Sequence, residues 1–187
     1  MERPRLSRRA LLAGATALAG ASFVPPWVRS AAAQAALARY AVEIVVFRQP
    51  GLAPPAPTVM GAPRASAPPG RIEPLPQAAW QLANVDGGLR RSSRYHLLGH
   101  AAWIALVPPN GTTAARVEDV LPDAGLSGAV VVQRGQYLFL RVELDYATPD
   151  GKVYQLRERR RIKFNERHYF DHPALGVVAL VTQAPPA

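Results

Sequence analysis

The sequence predicts a single α+β domain, a mostly antiparallel sheet of about six strands with one helical crossover. Three observations carry that expectation. Two long β-branched and apolar runs, Arg39 to Arg48 and Tyr95 to Val107, flank a weak helical stretch. Residues 137–163 alternate about a turn signal as a half-exposed antiparallel hairpin must. Beyond an N-terminal leader, residues 36–187 provide 152 residues, enough for one domain with a real core.

The leader comes first. Arg3, Arg5, Arg8 and Arg9 form a basic start, Ala10 to Val24 is an apolar run of 15 residues, and Ala31-Ala32-Ala33-Gln34-Ala35 offers small-residue cleavage sites, best after Ala35. The run is shorter than the roughly 20 residues of a spanning helix, and Pro25-Pro26 closes it. Ser7-Arg8-Arg9-Ala10-Leu11-Leu12 resembles a twin-arginine signal. Residues 1–35 are thus expected to be a cleaved signal of that type. The rest is expected in the periplasm with no transmembrane segment after cleavage. There is no cysteine, which excludes a disulfide framework, a thiolate nucleophile and a lipid-anchored cysteine.

Charge follows from the leader. The whole chain has 22 Lys and Arg against 13 Asp and Glu, a formal +9. Residues 1–35 hold five of the cations and one acid, leaving 17 − 12, or +5. Export makes nucleic acid an improper partner for this charge, whereas cell-wall peptides, lipid headgroups and acidic glycans suit it.

Along the chain, Arg39 to Arg48 reads as the first strand. Residues 50–76 form a Pro/Ala-rich insertion with nine of the 19 prolines, unable to join a ladder or a helix. Gln77 to Arg91 is a weak helix, divided by Gly87-Gly88 into what can be two short pieces, with Trp80, Leu82 and Val85 available to a core. Tyr95 to Val107 is apolar on both alternating faces and reads as a buried central strand ended by Pro108-Pro109-Asn110-Gly111. Strand, helix, strand in that order allows a parallel pairing of the two strands. Thr148-Pro149-Asp150-Gly151 is a type I turn with Gly in the left-handed position. It pairs Tyr146 with Tyr154, Leu144 with Leu156 and Leu138 with Ile162 on one face. On the other face Glu143 meets Arg157, Arg141 meets Arg159, Phe139 meets Arg161 and Tyr137 meets Lys163. Arg134-Gly135 is expected to be a two-residue turn, putting Val131 beside Leu138 and Ala129 beside Leu140. Leu175 to Val181 supplies a last strand.

Two constellations stand out. The hairpin register puts Glu158 and Arg160 on the apolar face, where two charges are costly unless paired, with the acids and histidines just downstream as candidate partners. Glu166, His168, Asp171 and His172 follow within a polar turn before the last strand. These six residues are a candidate binding or structural motif. The opposite face carries Arg157, Arg159, Arg161 and Lys163 with Tyr137 and Phe139, a basic and aromatic surface suited to an anionic sugar or peptide, or simply a solvated face.

Catalytic and metal chemistry find little support. His96/His100 and His168/His172 share one spacing, but no glutamate follows the first histidine as in a zincin helix, and Pro173 follows His172 at once. His96 and His100, in an apolar strand, read as core or subunit-contact residues. No nucleophile elbow or phosphate-cradling loop occurs. Glu143, Asp145, Glu158 and Glu166 are the carboxylates available for glycoside hydrolysis, and an arginine opposite Glu143 acts against the raised pKa such an acid needs. No catalytic residue, metal or cofactor is expected.

The segments Tyr40 to Arg48, Tyr95-His96-Leu97-Leu98-Gly99-His100-Ala101-Ala102-Trp103, Gly135 to Leu140, Arg159-Arg160 and Glu166-Arg167-His168-Tyr169-Phe170-Asp171-His172-Pro173-Ala174-Leu175-Gly176 resemble the CsiV family in the same order over residues 40–183. The E-x-H-Y-x-D-H-P-x-x-G block is the most specific part. The helix before Tyr95 is weaker than the family's, and the Pro-rich insertion is this chain's own. The resemblance implies a non-enzymatic periplasmic factor that binds peptidoglycan, supports wall assembly and cell shape, and acts with the wall-synthase machinery. A periplasmic protein-interaction module is the alternative, followed by a His/Asp metal-binding protein or a wall-lytic enzyme.

Overall fold

Among the described residues, nine strands form two sheets rather than the one sheet of about six strands that the sequence predicts. The computed structural model describes residues 37–49, 69–122, 124–149 and 151–184. The leader, most of the Pro-rich insertion and Asp150 of the hairpin turn lie outside them. The elements are β1 (Ala38–Arg48), β2 (Ile72–Pro74), a 3-10 turn (Gln77–Ala79), α1 (Ala83–Arg90), β3 (His96–Val107), β4 (Thr112–Arg116), a single turn α2 (Val117–Val120), β5 (Leu126–Arg134), β6 (Leu138–Ala147), β7 (Val153–Ile162), β8 (Arg167–His172) and β9 (Leu175–Gln183). The first sheet has the order β2-β3-β1-β9-β8 and the second β4-β5-β6-β7.

The second sheet exists because β3 needs cover on both faces. Ala101, Trp103, Ala105 and Val107 pack with Val42, Ile44 and Val46 of β1 against Val130, Val132, Leu140, Val142 and Leu144 of the second sheet. The alternate residues of the first sheet face the other way. There Leu82, Val85 and Leu89 lie on Val45, Leu97, Val178 and Leu180. An apolar run on both faces reports double burial but not what does the covering. Pro108 and Pro109 end β3, Asn110 takes a left-handed φ of 50°, and the chain passes to β4 in the second layer.

β1 and β3 are antiparallel, Ala38 opposite Val107 and Arg48 opposite His96, so the allowed parallel pairing does not occur. By Ile72 the chain is back beside Ala105, and Leu75 to Arg90 then travels down the outer face to the His96 end. The helical stretch is two pieces, the 3-10 turn and α1, but the break falls at Trp80 to Leu82 and not at Gly87-Gly88, which lie inside α1.

The β6–β7 hairpin has the predicted register, from Leu138 opposite Ile162 to Tyr146 opposite Tyr154. Thr148 N–H donates to Lys152 O at 2.8 Å, and Gly151 sits at φ 80°. The β5–β6 register differs from expectation. Arg134 pairs with Leu138 across a three-residue turn in which Gly135 N–H donates to Tyr137 O at 3.1 Å. That is an odd shift, so Val130 and Val132 face inward instead of Ala129 and Val131. All four are apolar and buried, which is why alternation could not choose between them. At Gly128, φ is 121° and a Cβ would lie 2.0 Å from Glu143 O, so this crossing requires glycine. β9 confirms the last strand. The expected polar turn at 166–173 is instead mostly β8, an edge strand whose Phe170 is fully buried.

Candidate functional site

The predicted site residues separate into three places. On the outer face of the second sheet, β6 and β7 hold two cation–aromatic stacks. The Arg159 guanidinium lies 3.6 Å from the Phe139 ring centroid and that of Arg161 lies 3.5 Å from Tyr137. The direct cause is register, since Phe139 opposes Arg161 and Arg141 opposes Arg159, so each arginine lies diagonally across from its ring. Arg159 also donates from Nε and a terminal nitrogen to Gln133 Oε1 at 3.2 and 3.1 Å. Arg161 makes no hydrogen bond to any described residue, and Tyr137 is 42% exposed. The remaining cations are committed. Arg157 pairs with Asp145 and donates to Leu144 O at 2.7 Å. Lys163 lies 3.3 Å from Glu166. Glu143 stands opposite Arg157 as the register predicts, but its ion pair is with another arginine. It pairs with Arg141 at 3.4 Å, because Asp145 reaches Arg157 first. A planar guanidinium held flat on a ring keeps its N–H edge toward solvent, in the geometry that accepts a carboxylate.

The second place is the seam where the edge strands β7 and β8 meet. Glu158 and Arg160 do lie opposite Val142 and Leu140. Their expected partners downstream are not used. They pair with each other along β7, and the Arg160 guanidinium lies 5.5 Å from the Phe170 ring. An edge strand lets both heads reach water, and the Arg160 side chain is 45% exposed, so the charge sits on an apolar face without being sealed. His168 and His172 point to this seam with Phe170. His168 Nε2 lies 3.3 Å from Lys163 N, and His172 Nδ1 accepts from Ala174 N at 3.1 Å in the β8–β9 turn. Burial holds the His172 imidazole below its usual pKa, against an opposing pull from Asp171. The unfolded chain thus takes up this proton at higher pH than the folded one. The associated stability is complete above about 6.5 and is lost as pH falls from there toward the folded value. His172→Asn keeps an acceptor for Ala174, and it is expected to flatten the fall in melting temperature between about pH 7 and 5. An unchanged slope would contradict this.

Asp171 belongs elsewhere, since β8 turns its odd residues to the opposite face. The Tyr169 hydroxyl donates to Asp171 Oδ1 at 2.9 Å, and Gln49 Nε2 donates to the Tyr169 hydroxyl at 2.7 Å and to Asp171 at 3.0 Å. Burial first, then the Asp171 carboxylate, push the Tyr169 phenol well above its ordinary pKa. Its ring stacks on Phe47 at 6.2 Å. The six motif residues therefore do not converge. Tyr169→Phe is expected to cost about 1 kcal/mol in denaturant unfolding, one hydrogen bond's worth.

The third place was not foreseen. Glu43 of β1, 4% exposed, accepts from Gln81 N at 2.7 Å and Leu82 N at 2.8 Å and lies 2.7 Å from His100 Nε2. The Trp80 ring packs 4.4 Å from His100, and Asp86 Oδ1 lies 3.9 Å from His100 Nδ1. His100 is thus a core histidine, as expected, whereas His96 is exposed. An irregularity in the pairing at Val46/Phe47 puts the two histidines out of phase. The sequence signal was a lone acid and a lone histidine inside two doubly apolar strands. Beside this network, Ile72, Pro74, Trp80, Trp103, Asp119 and Val120 line a cleft of about 380 Å³.

Among the described residues no group of three His, Cys, Asp or Glu is placed to hold a metal, and no helix is long and apolar enough to cross a membrane. A family model described as "Peptidoglycan-binding protein, CsiV" matches residues 53–184, beginning after β1. No curated protein and no solved structure matches.

Proposed function

The chain belongs to the CsiV family of peptidoglycan-binding proteins, and from that premise we propose that it is a periplasmic, non-enzymatic accessory of wall assembly and cell shape that grips peptidoglycan with the outer face of its second sheet. The family match carries the reading. The basic, apolar leader supports export, and action beside the wall-synthesising enzymes follows from the family resemblance. The choice of face is supported by the paired stacks of Arg159 on Phe139 and Arg161 on Tyr137. Rings offer sugar faces a flat apolar surface, and the guanidinium edges suit the carboxylates of stem peptides. A non-enzymatic role is supported by the carboxylates themselves. Glu143, Asp145, Glu158 and Glu166 each pair with a cation, so none of them is left to work with a second acid across a cleft.

The test is co-sedimentation of the purified protein with isolated cell-wall sacculi. Pelleting above that of an unrelated protein of equal net charge, weakened by added salt, is expected. Pelleting equal to the control's would sink the proposal. Release of soluble muropeptides during the incubation would overturn its non-enzymatic part.

A further inference from the structure

β3 is 12 residues long, yet β2 covers only Trp103 to Ala105 of its outer edge. Leu106 N–H donates to Arg71 O at 3.1 Å across that edge. With the two-residue period of a strand, Ile104, Ala102 and His100 direct their peptide groups the same way. Ile104 meets Glu73, but Ala102 and His100 meet no strand among the described residues. The reason is Pro74. It sits opposite Trp103, where no N–H is called for, and Leu75 then leaves the edge to pack on Ala41 and Ile104. The cleft of about 380 Å³ runs along this vacated stretch. Trp80 walls it on the helix side, and Pro74, Asp119 and Val120 on the core side.

We propose that this edge takes one further strand, an extended segment of a partner protein that lies antiparallel to Ala102 and His100 in line with β2. Backbone groups supply the pairing, and the walls select the side chains. Trp80, Pro74 and Val120 favour apolar residues. Asp119, over half exposed and only 3.9 Å from Arg116 at its nearest, favours a cation beside them. A segment of uniform handedness places alternate side chains on the two walls, whereas a stem peptide of alternating handedness places them all on one side. A protein strand is therefore the occupant. The site lies on the other sheet from the wall-binding face and stands or falls independently of it.

The test is a titration of the isotope-labelled full protein with the peptide acetyl-Lys-Val-Thr-Val-Lys-Val-Thr-amide, followed by amide NMR. The His100 and Ala102 amides are expected to shift and to gain exchange protection at millimolar peptide. N-methylation of the peptide residues that face the ladder should weaken binding by roughly tenfold, and methylation of the alternate residues should not. Asp119→Lys, at an exposed position, should weaken it by roughly threefold. No shift at millimolar peptide, equal affinity for both methylated forms, or shifts at His100 and Ala102 with soluble muropeptides in place of the peptide would each overturn the proposal.

Discussion

Glu43→Ala is expected to destabilise the protein by about 4 kcal/mol and to lower its melting temperature by roughly 10 °C. The carboxylate is buried and accepts from two backbone N–H groups, Gln81 and Leu82, at the entry to α1. It also holds His100 Nε2 at 2.7 Å. Truncation orphans both amides and the imidazole at once, and each buried orphan costs about 1–3 kcal/mol. It also frees the segment that covers the outer face of the first sheet, where Leu82 is fully buried. Glu43→Gln retains one acceptor oxygen and is expected to lose about half as much. Thermal melts of the two variants check this. A shift below about 2 °C for the alanine variant would show that the segment is held by its apolar contacts alone.

The double variant Arg159→Ala, Arg161→Ala is expected to weaken sacculus binding by roughly tenfold, taking about 0.7 kcal/mol for each exposed stack or ion pair. Both side chains are exposed, so the melting temperature should stay within a few degrees of native. Phe139 and Tyr137 remain in place, which separates the charge from the rings. Arg157→Ala serves as the contrast. Its guanidinium is tied to Asp145 and to Leu144 O, so it should lose stability more than binding. If both changes leave sacculus binding untouched while salt still weakens it, the cations that matter lie on another surface.

The parts of the fold set by local chemistry were legible in the sequence. The turn ending at Gly151 and the charge alternation from Phe139 to Arg161 fixed the β6–β7 register, because one face is apolar and a slip of one residue would bury arginines. Where both faces were apolar, that argument had nothing to act on. Ala129 to Val132 would satisfy either register, and the three-residue turn at Gly135 chose the other one. The same degeneracy hid the second sheet, since Tyr95 to Val107 announces double cover without distinguishing a helix from a sheet. The histidine and aspartate block looked like one site because its residues are adjacent in sequence. A strand sends neighbours to opposite faces, so Asp171 joined Tyr169 and Gln49 while His172 turned toward Tyr154. Glu43 and His100 were visible as misfits in apolar strands, but their meeting depended on the β1–β3 register, which needed the long connection to be placed.

The most direct test of the wall-binding account is a map of amide shifts on the labelled protein as soluble muropeptides are added. The account predicts shifts concentrated on Tyr137, Phe139, Arg159 and Arg161, with those of Tyr137 and Phe139 needing roughly tenfold more muropeptide in the double arginine variant. Shifts confined to the β7–β8 seam or to the first sheet, or none at muropeptide concentrations that compete with sacculi, would contradict it.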